Sequence, residues 1–254
     1  MAAKRSDLAT IDAQLAKEAA NVSEQVGQPD GRRVSVSQQD GNFMGPGGIN
    51  LGNELNIIVV DFCSANRYYD RTYDASTPMP PACVAFGDVI KEMVPESESP
   101  AIQSTNCHDC WANQWKSDAK QKGKACKNSR ELSFVITDEL DPDSDPELYT
   151  ISISPTSVAS FDASAVQIAR LFNGPPIKAQ MTMKVVQKGN YYNLQFGNIE
   201  AHEWLAELFP LRDDARDMLG LLPNFDSYEA PKFFPGGDVR NQQQPAKAAA
   251  RGRR

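Results

Sequence analysis

The stretch Cys107-His108-Asp109-Cys110-Trp111, with Lys124-Ala125-Cys126 downstream of it, decides how the rest of the chain is read. Two residues separate the first cysteine pair, and fifteen separate that pair from the third cysteine. A Cys-x2-Cys turn sets two thiolates on one side of a tight knuckle, and a tetrahedral zinc ion then needs two more ligands from elsewhere. Cys126 is the third candidate and Cys83, in Pro80-Pro81-Ala82-Cys83, the fourth; Cys63 and His108 are the replacements for Cys83. One structural zinc per chain is the expected cofactor, because four thiolates close the coordination sphere and leave no position for a reactive water.

Working outward, residues 76–103 are rich in proline, small and acidic side chains, as in Pro95-Glu96-Ser97-Glu98-Ser99-Pro100, so little regular structure is expected there. An irregular segment bracketed by cysteines is what a metal is needed to hold, and residues 76–130 are read as one zinc-stapled module. Between Cys107 and Cys126 it carries Trp111, Trp115, Lys116, Lys120, Lys122 and Lys124 against only Asp109 and Asp118, and Lys127 and Arg130 follow. Lysines supply phosphate contacts and exposed aromatics supply stacking faces, with Trp115 the stacking candidate; Trp111, beside Cys110, is expected to pack over the knuckle.

Upstream, Leu55-Asn56-Ile57-Ile58-Val59-Val60-Asp61-Phe62 is the best buried strand in the chain. It runs into Arg67-Tyr68-Tyr69-Asp70-Arg71-Thr72-Tyr73, which reads either as a base-stacking platform using Tyr68, Tyr69, Tyr73, Arg67 and Arg71, or as a packed extension of the strand. A shorter strand of two-residue period covers Val34 and Val36. The glycines of Gly45-Pro46-Gly47-Gly48 lack the spacing of a dinucleotide or P-loop fingerprint and are read as turn chemistry. Before them, Leu8, Ile11, Leu15, Ala19 and Val22 form a thin helical stripe in an arm, residues 1–31, that is either docked or mobile.

Downstream, strands are expected at 131–137 and 148–153. The acidic loop between them fails as a calcium site, since Pro146 stands where the turn glycine belongs and Ser152 where the closing glutamate belongs. Phe161, Ala165, Ile168, Ala169 and Phe172 recur at helical intervals after Pro155-Thr156-Ser157, and Asn173-Gly174-Pro175-Pro176 ends that helix. A hairpin of strands 179–186 and 191–196 follows, with Lys184 and Lys188 near its turn as further phosphate candidates. Residues 201–222 hold a helical segment broken near Pro210, and residues 223–254 read as a disordered tail ending Arg251-Gly252-Arg253-Arg254.

The 254 residues carry a net charge of −7, so attraction to phosphate would have to be local rather than global. Two histidines weaken a histidine-based hydrolase or transferase reading, and no enzyme activity is expected. With no apolar run of the roughly 20 residues that cross a bilayer and a polar start, the expectation is an intracellular protein with no membrane partner. Five cysteines, an odd number, fit a reduced metal-bound set of four plus one bystander better than a disulfide framework.

The order of elements is a mainly β, α+β arrangement: a five-stranded OB-like barrel with one helix between strands 3 and 4 and a zinc-stapled insertion after strand 2, spanning residues 32–200. Pro81-Ala82-Cys83, Cys107-His108-Asp109-Cys110, Gly123-Lys124-Ala125-Cys126-Lys127 and Arg130-Glu131-Leu132 resemble phage single-stranded-DNA-binding proteins of the helix-destabilising kind, in which an OB barrel bears a zinc subdomain between early strands. The resemblance implies sequence-tolerant binding of single-stranded DNA in phage replication or recombination. It also implies replication or recombination proteins as partners, cooperative self-association on DNA, and the host cytoplasm as location. Two features depart from it: the outlying zinc ligand is a cysteine rather than a histidine, and the chain ends in arginines rather than an acidic tail. The alternative is a zinc-stabilised structural or protein-interaction component that binds no nucleic acid. A deaminase-like zinc enzyme fits worse, because the His-x-Glu and Pro-Cys-x2-Cys order is absent.

Overall fold

The computed structural model describes residues 32–71 and 79–230. Its centre is β3 (Glu54–Tyr68), a single strand that takes in both the apolar run and its Cys63–Tyr68 continuation. Alternate side chains of a strand leave opposite faces, and here both faces are covered. Ile57 and Val59 enter a core with Phe134, Ile151, Phe161 and Phe196, while Ile58 and Val60 enter a second core with Val135, Leu208 and Ala215. That double burial is why the run is continuous rather than alternating. The register slips between Val59 and Asp61, a bulge that reverses the parity, so that Phe62 rather than Asp61 faces the first core.

Around β3 lies one antiparallel sheet in the order β6 (Tyr149–Ile153), β5 (Cys126–Ile136), β3, β7 (Gln180–Lys188), β8 (Tyr191–Glu200), with β4 (Cys83–Gly87) paired to the far end of β3 beside β5. The first core is closed by α1 (Val158–Phe172), whose Phe161 meets Phe62 and Phe196 edge-on at 5.1 and 5.3 Å. Asn173 ends α1 in the left-handed conformation that asparagine tolerates. The second core is closed by α2 (Leu205–Leu208) and α3 (Arg212–Asp217), separated by a short 3-10 turn containing Pro210.

No closed barrel forms among the described residues, and the reason is local. The outer edge of β6 is taken by residues 32–34, where Val34 N–H donates to Thr150 O at 2.8 Å and Thr150 N–H to Arg32 O at 2.9 Å. The edge of β8 is taken by helix side chains: Ser157 Oγ accepts from Leu194 N–H and Ser160 Oγ from Phe196 N–H, both at 2.9 Å. With both edges satisfied, nothing draws β6 and β8 together.

Two further expectations are corrected. The strand expected at Val34 and Val36 is split: Val34 bonds to the edge of the large sheet, whereas β1 (Ser35–Val36) pairs with β2 (Phe43–Met44). Residues 76–103, where little regular structure is expected, contain β4, and β5 begins at Cys126, ahead of the expected start at residue 131. Near residue 230, Tyr228 donates to Asp70 Oδ2 at 2.6 Å, and Arg71 donates to Glu229 O. The expected arm at 1–31 and the tail beyond residue 230 lie outside the described residues. No helix among those described is long and apolar enough to cross a membrane.

Candidate metal centre and strand-binding surface

The far end of β3 brings the expected ligands together. Tyr68 is in register with Cys83 of β4 on one side and Cys126 of β5 on the other, so these three side chains leave the same face of the sheet. The knuckle is held by a backbone bond and by three from side-chain amides. Cys107 N–H donates to Met93 O at 3.0 Å, and Asn113 Nδ2 donates to Cys107 O at 2.7 Å. Gln114 Nε2 reaches His108 O and Cys110 O at 3.1 and 3.3 Å. Trp111 packs edge-on to Tyr68 at 5.5 Å, as expected of a residue covering the knuckle.

Cys83, Cys107, Cys110 and Cys126 are all buried, all unpaired, and all line one cavity of about 10 Å³, which is room for roughly one water-sized sphere. Burial pushes the Cys126 thiol up to about 12, and the nearby Cys110, Cys107 and Cys83 push the same way. Burial also raises Cys83, and raises Cys107 against a hydrogen bond from Asn66 that lowers it. Among the described residues no group of His, Cys, Asp or Glu stands in metal-holding geometry, so the thiols share a cavity rather than a ready-made coordination sphere. In residue type the set is that of an all-thiolate site: four thiols, none in a disulfide, on the wall of one small cavity. The two replacement ligands lie apart from it. His108 is exposed, and Cys63 leaves the other face of β3, influenced by Glu131 and Arg216.

Residues 111–125 form a loop built on two side chains. Asp118 Oδ1 accepts from Lys122 N–H and Gly123 N–H at 2.7 and 3.0 Å, bonds that hold its carboxyl below the usual range, the Gly123 bond most of all. Ser117 Oγ donates to Ala112 O and accepts from Ala125 N–H. From this loop Trp115 stands 68% exposed, and Lys116, Lys120 and Lys122 are exposed with it. Lys124 turns inward, donating to Asn113 Oδ1 and Asn128 Oδ1 at 3.1 and 2.9 Å.

The remaining candidates divide. Arg130 is buried and holds Asp162 of α1 through two bonds of 3.2 and 3.0 Å, so it fastens helix to sheet. Arg67 is bound to Glu131 and Ser129 and lies over the Phe86 ring. Lys184 pairs with Glu54 at 2.6 Å, and Lys188 is exposed at the β7–β8 turn. Tyr68 belongs to the thiol cavity, Tyr69 is 39% exposed, Arg71 is bonded to Asp70 and Glu229, and Tyr73 lies outside the described residues. Lys127 is exposed and in register with Arg67, hence on the face opposite the thiols.

On that opposite face a larger groove of about 360 Å³ is lined by Arg33, Arg67, Tyr69 and Glu131 together with Leu221 and Leu222. Sequence reading missed it. The one signal was Glu131, an acid inside the strand Glu131-Leu132-Ser133-Phe134, which has to find a cation when buried. Compared with known protein families, with curated proteins and with solved structures, the chain matches none.

Proposed function

We propose that the protein binds single-stranded DNA without sequence preference, in phage replication or recombination, with one structural zinc ion. The observation that carries this reading is that four buried thiols, from β4, β5 and the knuckle, line one small cavity, and that the loop joining the knuckle to β5 exposes Trp115, Lys116, Lys120 and Lys122. Zinc on Cys83, Cys107, Cys110 and Cys126 would fix the loop's base and supply no reactive water. The ammonium groups would meet phosphates while Trp115 and Tyr69 stack on bases, a strategy indifferent to sequence because every base has a flat face.

Support also comes from strand order. The path β6-β5-β3-β7-β8, with α1 joining β6 to β7, is consistent with the strand order of an OB barrel left open between its third and fifth strands. The overall charge of −7 is no obstacle, since the field felt by a strand is that of the surface it meets.

A second reading, a zinc-stabilised protein-interaction component, draws on Val89, Ile90, Val94 and Ile102, which the insertion leaves exposed. Titration of tryptophan fluorescence with a thymidine homopolymer at two salt concentrations separates the two. DNA binding predicts quenching whose affinity falls steeply with salt. No response at low salt would favour the interaction component.

A further inference from the structure

Arg67 and Tyr69 sit at the same end of β3 as the thiol cavity but face the other way, into the 360 Å³ groove. That volume lies within the range of sites that take small organic groups, roughly 300–1,000 Å³. Burial sorts its walls. Glu131 and Arg67 are withdrawn from water, whereas Arg33, Tyr69, Leu221 and Leu222 stand at the opening. The interior therefore offers a donor and an acceptor side by side, and the opening offers an aromatic face, two aliphatic side chains and a guanidinium.

One wall is a strap formed by residues 218–223, and its attachment is uneven. Upstream, Arg216 is held by Asp61 and Asp88 at 2.9 and 2.7 Å; downstream, Tyr228 is held by Asp70. Between these anchors the polar tie is Gly220 N–H to Glu131 Oε2 at 3.1 Å, from the carboxylate whose other oxygen holds Arg67. Gly220 has φ +66, and a side chain there would crowd the Phe86 ring at 3.3 Å, so the seat is specific to glycine. Leu221 and Leu222 remain 53% and 42% exposed. Upstream of Gly220, Leu219 is buried and Met218 packs against the second core, so the part of the strap that can lift and close at little cost is residues 221–223.

We infer that the groove seats one nucleotide of the bound strand and that residues 221–223 close over it as a lid. This rests on the single-stranded-DNA reading and adds a second contact to it, on the face away from the thiol cavity. Tyr69, Leu221 and Leu222 flank the flat face of the base, the Arg67–Glu131 pair meets its polar edge, and Arg33 meets the adjoining phosphate. Base, edge and phosphate are thereby each met by a group of matching chemistry.

Two measurements on the full-length protein test it. The double variant Leu221→Ser/Leu222→Ser alters half-exposed side chains and should melt as the wild type does; its dissociation from a thymidine homopolymer should quicken about tenfold, with association little changed. A homopolymer carrying 5-iododeoxyuridine, irradiated in complex with the wild type, should crosslink to a peptide containing Tyr69. Unchanged dissociation, or crosslinks confined to residues 111–124, would overturn the groove as a nucleotide seat, and slower dissociation would make the strap a plug rather than a lid. Absence of any wild-type binding at low salt would instead remove the function on which the inference rests.

Discussion

Tyr68 of β3 and Cys126 of β5 are register partners, and Cys83 of β4 flanks Tyr68 on its other side. The longest strand of the sheet therefore ends inside the thiol cavity, and the loop that follows the knuckle is tied to the sheet through sulfur-bearing positions rather than through either core. This separates two kinds of damage: what loosens the loop should leave the sheet intact, and what unfastens the sheet should leave the loop's chemistry intact.

Arg130 tests the second kind. Its two bonds to Asp162 connect β5 to α1 from a buried position. Arg130→Ala should lower unfolding stability by about 1.5–3 kcal/mol, the range for hydrogen bonds to charged groups. Denaturant titration reads that loss, and the homopolymer affinity of the folded variant should stay at the wild-type value. A fall in affinity at unchanged stability would place Arg130 among the phosphate contacts.

Trp115 and the exposed lysines test the loop. Trp115→Ala should weaken homopolymer binding by about 1–3 kcal/mol, the usual contribution of one stacked base, with no change in melting temperature because the ring is 68% exposed. Charge reversal at Lys120 or Lys122 should flatten the salt dependence, with removal of each phosphate contact reducing the slope by about 0.7. Equal effects from Lys124→Ala on the slope would contradict the inward course of that side chain.

Much of the fold was legible because its elements are locally coded. Ile57 to Val60 reads as a strand whatever surrounds it, and Phe161, Ile168 and Phe172 mark a helix by spacing alone. Cys83–Gly87 was not legible as a strand, since Cys-Val-Ala-Phe-Gly is short, lies among prolines and small residues, and exists by pairing with the distant β3. That Cys83, Cys107, Cys110 and Cys126 share one cavity was legible in part, because a Cys-x2-Cys turn keeps two of them on one side of the chain. The fates of Arg67 and Arg130 were not, because their partners Glu131 and Asp162 lie 64 and 32 positions away. The open seam was hidden for the same reason: Ser157 and Ser160 look like helix-start residues, and only the folded chain shows them bonded to β8.

Cys63 should behave as the bystander. Burial pushes its thiol from 9.0 up to about 12, with Glu131 adding to the rise and Arg216 opposing it. The native protein holds that proton more tightly than the unfolded chain, so the contribution is complete below about pH 9 and is lost as pH rises towards 12. Cys63→Ala should therefore show a shallower decline of stability across that alkaline window, read from denaturant midpoints, and should keep the wild-type metal content. Loss of metal would place Cys63 among the ligands.

Metal content of the purified protein tests the central claim most directly, by elemental analysis of the wild type beside Cys110→Ser. One zinc per wild-type chain, lost in the variant together with protease resistance of residues 107–125, is the predicted result. A wild type without metal, whose 107–125 loop resists protease as well in chelator as out of it, would contradict the account.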